Sequence, residues 1–326
     1  MRVLILGGTG TISSAITNEC LKSGYDVIHF NRGTHPPSVN VEFVRGDRFS
    51  QEDLSKAAEA KPDVVIDMLC FDANHAQLLT RVFKYKIQQL ILCSSACVYD
   101  VKSNYSPFTE PMTPNSHWHY GVNKARAESV LREASKEGAF NLTVFRPSHV
   151  YDAYSPIHQL GLNGMILFQR LKLGLPVLLL DKGAARWEAC FAADAGKGFT
   201  AACLNPICYG RTYNLGNGDH FTWQTYYKTV ADVLGVQANL RSLESHQIDS
   251  GCYAEDSELD FARHISRYNF VVNVDRLHSD LPQLKPHLSL ESGLATVWEA
   301  NSSQKPKSDY SSSVTQLLSL SSALEN

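Results

Sequence analysis

No CxxC pair occurs in the chain, although it carries eight cysteines (Cys20, Cys70, Cys93, Cys97, Cys190, Cys203, Cys208 and Cys252). Most stand in apolar surroundings, so they read as reduced core thiols and not as a disulfide framework or a metal site. A Lys/Arg-rich block is missing too, and with a net charge of −3 the totals hold no electrostatic footprint for nucleic acid. No apolar run approaches the roughly 20 residues that span a bilayer, so no membrane partner is expected. The N-terminus runs straight into a strand without a charged n-region and a small-residue cleavage site, which sets the expectation of a cytoplasmic protein. Internal repeats are absent. What is there, 326 residues with 44% hydrophobic and 19% charged, suits one large α/β domain, or one plus a smaller lobe.

Strand-like and helical patterns alternate along the first half. RVLIL is followed by a helix from Ser14 to Lys22, DVIHF by VEFV and a helix from Gln51 to Ala60, DVVIDML by a helix from Ala73 to Phe83. QLILCSS and a helix from Lys124 to Ser135 then lead to NLTVF. Such alternation predicts βαβ units in a parallel sheet, and the near-continuous apolar runs RVLIL and DVVIDM fit strands covered on both faces. The expected fold is therefore α/β, a doubly wound parallel (Rossmann) sheet over about residues 1–150. After Arg146 the alternation gives way to proline- and glycine-containing loops. These predict a smaller C-terminal substrate lobe over 151–300 that can exchange segments with the first domain. The serine-rich stretch 301–326 reads as a flexible tail.

The stretch GGTGTIS sits where the first strand hands over to a helix starting near Thr11. Gly7 permits the tight turn there, and Gly10 lets the backbone approach a pyrophosphate lying on the free N–H groups of the helix N-terminus. Gly7, Thr9, Gly10, Thr11 and Ile12 are the candidate contacts of this turn. Its third small position is Ser13 instead of glycine.

The end of the fifth strand reads SSACVY, and 25 residues beyond Ser95 comes YGVNK, Tyr120 to Lys124. Ligands sit at the carboxyl ends of strands in open sheets. Tyr120 and Lys124 stand at i and i+4, so both project from one helix face. The Lys124 ammonium is expected to lower the phenol pKa of Tyr120 from about 10, making it a proton carrier, while Ser95 donates to a substrate oxygen. Asp67 and Asp72 flank the fourth strand end, where the carboxylates read as helix caps and the backbone of Met68 and Leu69 as cofactor neighbours.

On GGTGTIS, the RGD at Arg45 to Asp47, SSACVY, YGVNK, RPSHVY and the later GRTYNLGNGDHFTWQTYYKTVADVLG, the chain resembles the extended short-chain dehydrogenase/reductases, within them the NAD-dependent epimerase/dehydratase group. The resemblance implies Tyr120 as acid/base, Lys124 as its electrostatic partner and ribose contact, and Ser95 as carbonyl or hydroxyl anchor. It puts Asp47 and Arg48 near the adenine, and Pro147 and Ser148 near the nicotinamide.

Three departures from the family pattern bear on function. The acidic residues that dehydratases carry after the Ser/Thr are replaced by Ala96 and Cys97, which disfavours elimination of water. The second strand ends in Asn31 and Arg32 where a carboxylate would hold the ribose 2′-hydroxyl of NAD. The cofactor, NAD or NADP, therefore leans to NADP, whose 2′-phosphate a guanidinium matches. The arginine that holds a diphosphate in nucleotide-sugar enzymes is displaced: Trp187 is near its place, with Arg186 adjacent.

Cys97, His149, Arg186 and Trp187 are, with Ser95, the candidate substrate contacts. His117 and His119 flank the catalytic helix and read as packing or surface. Trp223, Tyr226 and Tyr227 have the spacing of a lobe core. The leading functional expectation is an NAD(P)-dependent epimerase acting on a secondary hydroxyl of a sugar-type substrate, a nucleotide sugar or nucleoside, through a transient ketone. The alternatives are a ketone reductase of the same family or a non-catalytic RNA-binding member. A homodimer is allowed.

Overall fold

In the computed structural model all residues are described except 35–38, 40, 104–105, 251–252, 286, 304–308 and 324–326, so Cys252 and part of the serine-rich stretch lie outside the described residues. The first half folds as β1 (Arg2–Leu6), α1 (Thr11–Lys22), β2 (Asp26–Asn31), β3 (Glu42–Arg45), α2 (Gln51–Glu59), β4 (Val64–Asp67), α3 (Ala73–Phe83), β5 (Gln89–Cys93), α4 (His119–Lys136) and β6 (Asn141–Pro147). The remainder comprises β7 (His149–Tyr151), α5 (Met165–Lys172), β8 (Val177–Leu180), β9 (Arg186–Trp187), β10 (Ala189–Phe191), α6 (Ala192–Ala202) and β11 (Thr212–Leu215). It continues through β12 (Phe221–Thr222), α7 (Trp223–Leu234), β13 (Leu240–Leu243), α8 (Asp275–Asp280), α9 (Leu290–Asn301) and α10 (Ser312–Ala323).

Seven parallel strands form the main sheet in the order β11-β6-β5-β4-β1-β2-β3. Alternate residues of each strand point to opposite faces. Leu4, Leu6, Ile28, Val65 and Leu90 pack beneath α2, α3 and α4. Val3, Ile5, Val27, Ile66 and Ile91 pack beneath α1 and α6, where Ile16, Cys20, Ala195 and Phe199 meet them. Both faces are covered, as the continuous apolar strands require. The strand order reverses between β1 and β4, and there the carboxyl ends leave the crevice in which doubly wound folds bind ligands.

The two regions are not divided cleanly by sequence. β11 and α6, from beyond residue 150, complete the main sheet and cover one of its faces. The smaller lobe is built on Trp187, Trp223, Tyr226 and Tyr227, packed with α5 and α9, and on a further cluster around Leu178, Leu180 and Leu243. The terminal stretch departs from the expected flexible tail, because α10 docks Val314 and Leu317 onto that second cluster beside Tyr310. Apolar residues three apart in VTQLLSL give the serine-rich helix a sticky face. The seven described cysteines are free. No described helix is long and apolar enough to cross a membrane.

Candidate active site

At the crevice Gly7 adopts φ +87°, a conformation side chains resist, and Leu69 packs where its Cβ would be. Its N–H donates to the Phe30 carbonyl at 3.0 Å, fixing the turn to β2. Gly10, exposed, caps α1, and the Ser13 hydroxyl accepts the Gly10 N–H at 2.8 Å while itself lying buried. A serine thus fills the third small position because it both fits and satisfies an end-of-helix donor. Beneath Gly8 lies the His29 ring, held by Thr17 Oγ1 at 2.8 Å, and burial pushes its pKa down to about 4. Thr9, Gly10 and Thr11 open onto a cavity of about 540 Å³ that also touches Asn18 and Tyr154. Ile12 packs under the helix against the sheet.

At the end of β2, Asn31 Oδ1 accepts the Gly33 N–H at 2.8 Å, leaving its buried Nδ2 without a partner among the described residues. Arg32 is exposed beside it. Asp47 is half-buried, and its carboxylate accepts the Phe49 N–H at 2.9 Å. Arg48, expected beside the adenine, is buried in an ion pair with Asp67 at 2.5 Å. Asp67 is accordingly no helix cap; its other oxygen takes the Leu69 N–H at 2.7 Å, which shapes the Met68–Leu69 turn. Asp72 does cap α3, accepting from His75 N at 2.9 Å.

β5 delivers Ser95 to the start of α4. Ser95 Oγ accepts the Cys97 N–H at 3.1 Å, and the Ser95 side chain lies close enough to the Tyr120 phenol to pull its pKa down. The Trp118 ring leans over Tyr120 with centroids 5.1 Å apart and stacks on His264. Lys124 is buried, and its ammonium donates to the Cys93 carbonyl at 2.9 Å, 5.9 Å from the Tyr120 ring. The expected lowering of the phenol pKa is not found. Burial raises Tyr120 above its ordinary value, Cys97 and Cys93 add to the rise, and only the nearby Ser95 side chain opposes it. Burial dominates, and the ammonium, turned to the strand carbonyl, does not offset it. His117 faces Asp100 at 3.2 Å and His119 is exposed.

Sequence reasoning passed over a buried network behind these residues. Arg146 grips Glu128 with Nε and Nη2 at 2.9 and 2.7 Å, Ser94 Oγ donates to Glu128 at 2.6 Å, and Arg146 Nη1 donates to the Tyr99 hydroxyl at 2.9 Å. Tyr99 in turn donates to Asn214 at 2.7 Å. Burial would raise Glu128, yet the bonds from Arg146 and Ser94 hold it below the usual carboxylate range. The chain 120, 124, 128 continues one helix face at steps of four, a signal that could have flagged Glu128.

Pro147 ends β6, and Ser148 follows half-buried with its hydroxyl unpartnered among the described residues. His149 is buried among Trp187, Trp223, Phe261 and Phe270. Two expected substrate contacts are displaced. Trp187 is fully buried, stacked on Trp223 at 4.0 Å, so it belongs to the lobe core with Tyr226 and Tyr227. Arg186, in a short surface strand, is exposed. No cluster of three or more His, Cys, Asp or Glu side chains among the described residues could hold a metal ion.

A glycine turn at a topological switch point, with a Tyr/Lys helix face at the end of a neighbouring strand, defines a dinucleotide-binding enzyme of the extended short-chain dehydrogenase type. The model of the NAD dependent epimerase/dehydratase family matches residues 3–216, and the chain belongs to that family. It is 28% identical over 243 residues to the 2'-dehydrokanamycin reductase of Streptomyces kanamyceticus, covering 73% of this chain and 68% of that one. To the chloroplast stem-loop binding protein of 41 kDa b of Arabidopsis thaliana it is 26% identical over 254 residues, 72% of this chain but only 63% of that protein. In fold it is similar to the UDP-glucose 4-epimerase of Thermus thermophilus solved with NAD, with TM-score 0.74, 18% identity and coverage of 94% and 100%.

Proposed function

We propose that the chain interconverts a secondary alcohol and its ketone, with Tyr120 carrying the proton at the substrate oxygen and Ser95 donating a hydrogen bond to that oxygen. The observation that carries this reading is the placement of Ser95 beside the Tyr120 phenol at the carboxyl edge of the sheet, with buried Lys124 one helical turn on. Lys124 holds the Cys93 carbonyl and stands ready for a ribose hydroxyl. The residues of the crevice fit a nicotinamide dinucleotide. Gly7 and Gly10 leave room for a pyrophosphate, and the unpartnered Asn31 Nδ2 lies where an adenosine ribose would need a donor. When bound, the cofactor supplies the hydride acceptor or donor.

Of the two redox outcomes we favour the reductase, with an exchangeable cofactor. No carboxylate ends β2, and Arg32 there suits the 2′-phosphate of NADP, the usual reductant. The epimerase is the second reading, supported by the family. Absence of an acid at Ala96 and Cys97 weighs against a dehydratase. An RNA-binding role is weakened by the intact Ser95, Tyr120 and Lys124. The test incubates purified protein with NADPH and ketones and counts cofactor consumed per product formed. Stoichiometric consumption that disappears in Tyr120→Phe is expected. Stereoinversion of the matching secondary alcohol with oxidised cofactor and no net change in it identifies the epimerase, and turnover that persists in the variant overturns the assignment.

A further inference from the structure

Cys97 is shared between two neighbourhoods. Its carbonyl oxygen packs against Gly121, the chain neighbour of Tyr120, and the residue also lines a cavity of about 390 Å³ whose walls include Ser148, His149, Ile157 and the rings of Phe261 and Phe270. That volume falls within the usual range of small-molecule sites. Leu162, Val150 and Pro156 extend its apolar wall. His149 contributes its imidazole from a position 6% exposed, and neither ring nitrogen has a partner among the described residues. Four rings hold it edge-on, with centroids between 4.9 and 5.7 Å away. A buried polar group without a partner costs stability, and both nitrogens are shut off from solvent, so the ring must turn within its cage for a ligand atom in the cavity to complete the bond.

Among the described residues the lining contains no Lys, Arg, Asp or Glu. Its two imidazoles are neutral, because burial pushes His149 and His158 down to about 3, and His158 is engaged by the Tyr227 hydroxyl at 3.3 Å. A diphosphate entering here would lose its hydration without a cation to replace it. Arg186, the nearest sequence candidate for that cation, is exposed, and Trp187 is locked against Trp223.

Building on the alcohol–ketone reading above, we propose that this cavity is the substrate side of the Ser95–Tyr120 site and takes a compact, uncharged hydroxylated or oxo ring, with His149 as its polar anchor, and not a nucleoside diphosphate sugar. The apolar and aromatic walls pack the ring, His149 selects one hydroxyl or carbonyl, and the second oxygen is left to Ser95 and Tyr120.

The experiment uses the cofactor-loaded protein, with 1,2-cyclohexanediol and UDP as probes in ligand-observed NMR titrations and reduced nicotinamide as the turnover signal. The diol is expected to bind while UDP at equal concentration does not. His149→Phe, which preserves the ring packing, is expected to weaken the diol about tenfold, the loss of one hydrogen bond. Leu162→Trp, at the partly buried edge of the cavity, is expected to abolish binding by filling it, and serves if His149→Phe fails to fold. UDP binding tighter than the diol, no diol binding, or diol binding indifferent to both variants overturns the proposal. Tyr120→Phe separates the two readings. Diol bound as by the wild type but turned over without Tyr120 overturns the catalytic assignment alone. Tyr120-dependent turnover of UDP-glucose with UDP bound overturns the substrate class alone.

Discussion

Gly121 lies so close to the carbonyl oxygen of Cys97 that a Cβ built on it would overlap that oxygen and crowd the Ser116 hydroxyl. The first turn of α4 therefore rests on the short helical turn Ala96–Val98, and this contact sets Tyr120 beside Ser95. Gly121→Ala must push the turn outward, because a backbone oxygen cannot yield as a flexible side chain can. The expected cost is about 1–3 kcal/mol of stability, read from urea midpoints. Turnover should fall about 100-fold, since a displacement near 1 Å costs that much in positioning. A variant with wild-type midpoint and turnover would show that α4 tolerates the methyl.

Tyr120 and Lys124 share a face but are expected to fail differently. Tyr120→Phe removes only the hydroxyl and should abolish turnover while cofactor affinity stays within a few-fold. Lys124→Ala removes the donor to the Cys93 carbonyl, 2.9 Å away, from a buried site, and should damage turnover, cofactor affinity and stability together. Cofactor titration by fluorescence separates the two. Undiminished affinity in the lysine variant would take Lys124 out of the ribose site.

Cofactor choice turns on the end of β2. With Asn31 in place of a carboxylate, nothing there repels a 2′-phosphate, and Arg32 is exposed with Arg45 close to the same turn. The chain is expected to bind NADP(H) at least as well as NAD(H). Arg32→Ala should weaken NADP roughly tenfold or more and leave NAD unchanged, as loss of one charge-assisted bond implies. Strong NAD preference in the wild type, or equal losses for both cofactors, would leave Arg32 in solvent.

The glycine turn, the parallel sheet and the Tyr/Lys face were legible because each follows from local spacing: strand period, helix period and a turn only glycine allows. What stayed hidden depends on burial. Trp187 looked like a substrate contact because its neighbour in the fold, Trp223, lies 36 residues away in sequence, and only packing brings their rings to 4.0 Å. The ion pair of Arg48, in the loop after β3, with Asp67 at the end of β4 was hidden because 19 residues separate the two in sequence. The direction of the Tyr120 shift was misread for the same reason. Charge proximity can be guessed from i and i+4, but where Lys124 points and how dry the phenol is cannot. In the terminal stretch, serine content masked the apolar spacing that docks α10.

Glu188 makes the last expectation, and it concerns stability against pH. Its carboxyl is fully buried beside Gly216, with Oε2 accepting the Gly218 N–H at 3.3 Å and Oε1 unpartnered among the described residues. Burial pushes its pKa from 4.5 up to about 8. Between those values the folded chain holds a proton that the unfolded chain has released, so stability falls as pH rises from 4.5 through 8 and is flat outside that window. The slope from this one group is at most about 1.4 kcal/mol per pH unit. Glu188→Gln keeps the shape and removes the titration. The difference between wild-type and variant unfolding free energies should therefore shrink or reverse in favour of the variant as pH approaches 8. Urea denaturation at pH 5, 6.5 and 8 decides it: parallel pH profiles would mean that Glu188 is ionised in the folded chain throughout, held by a partner that the buried Oε1 lacks here.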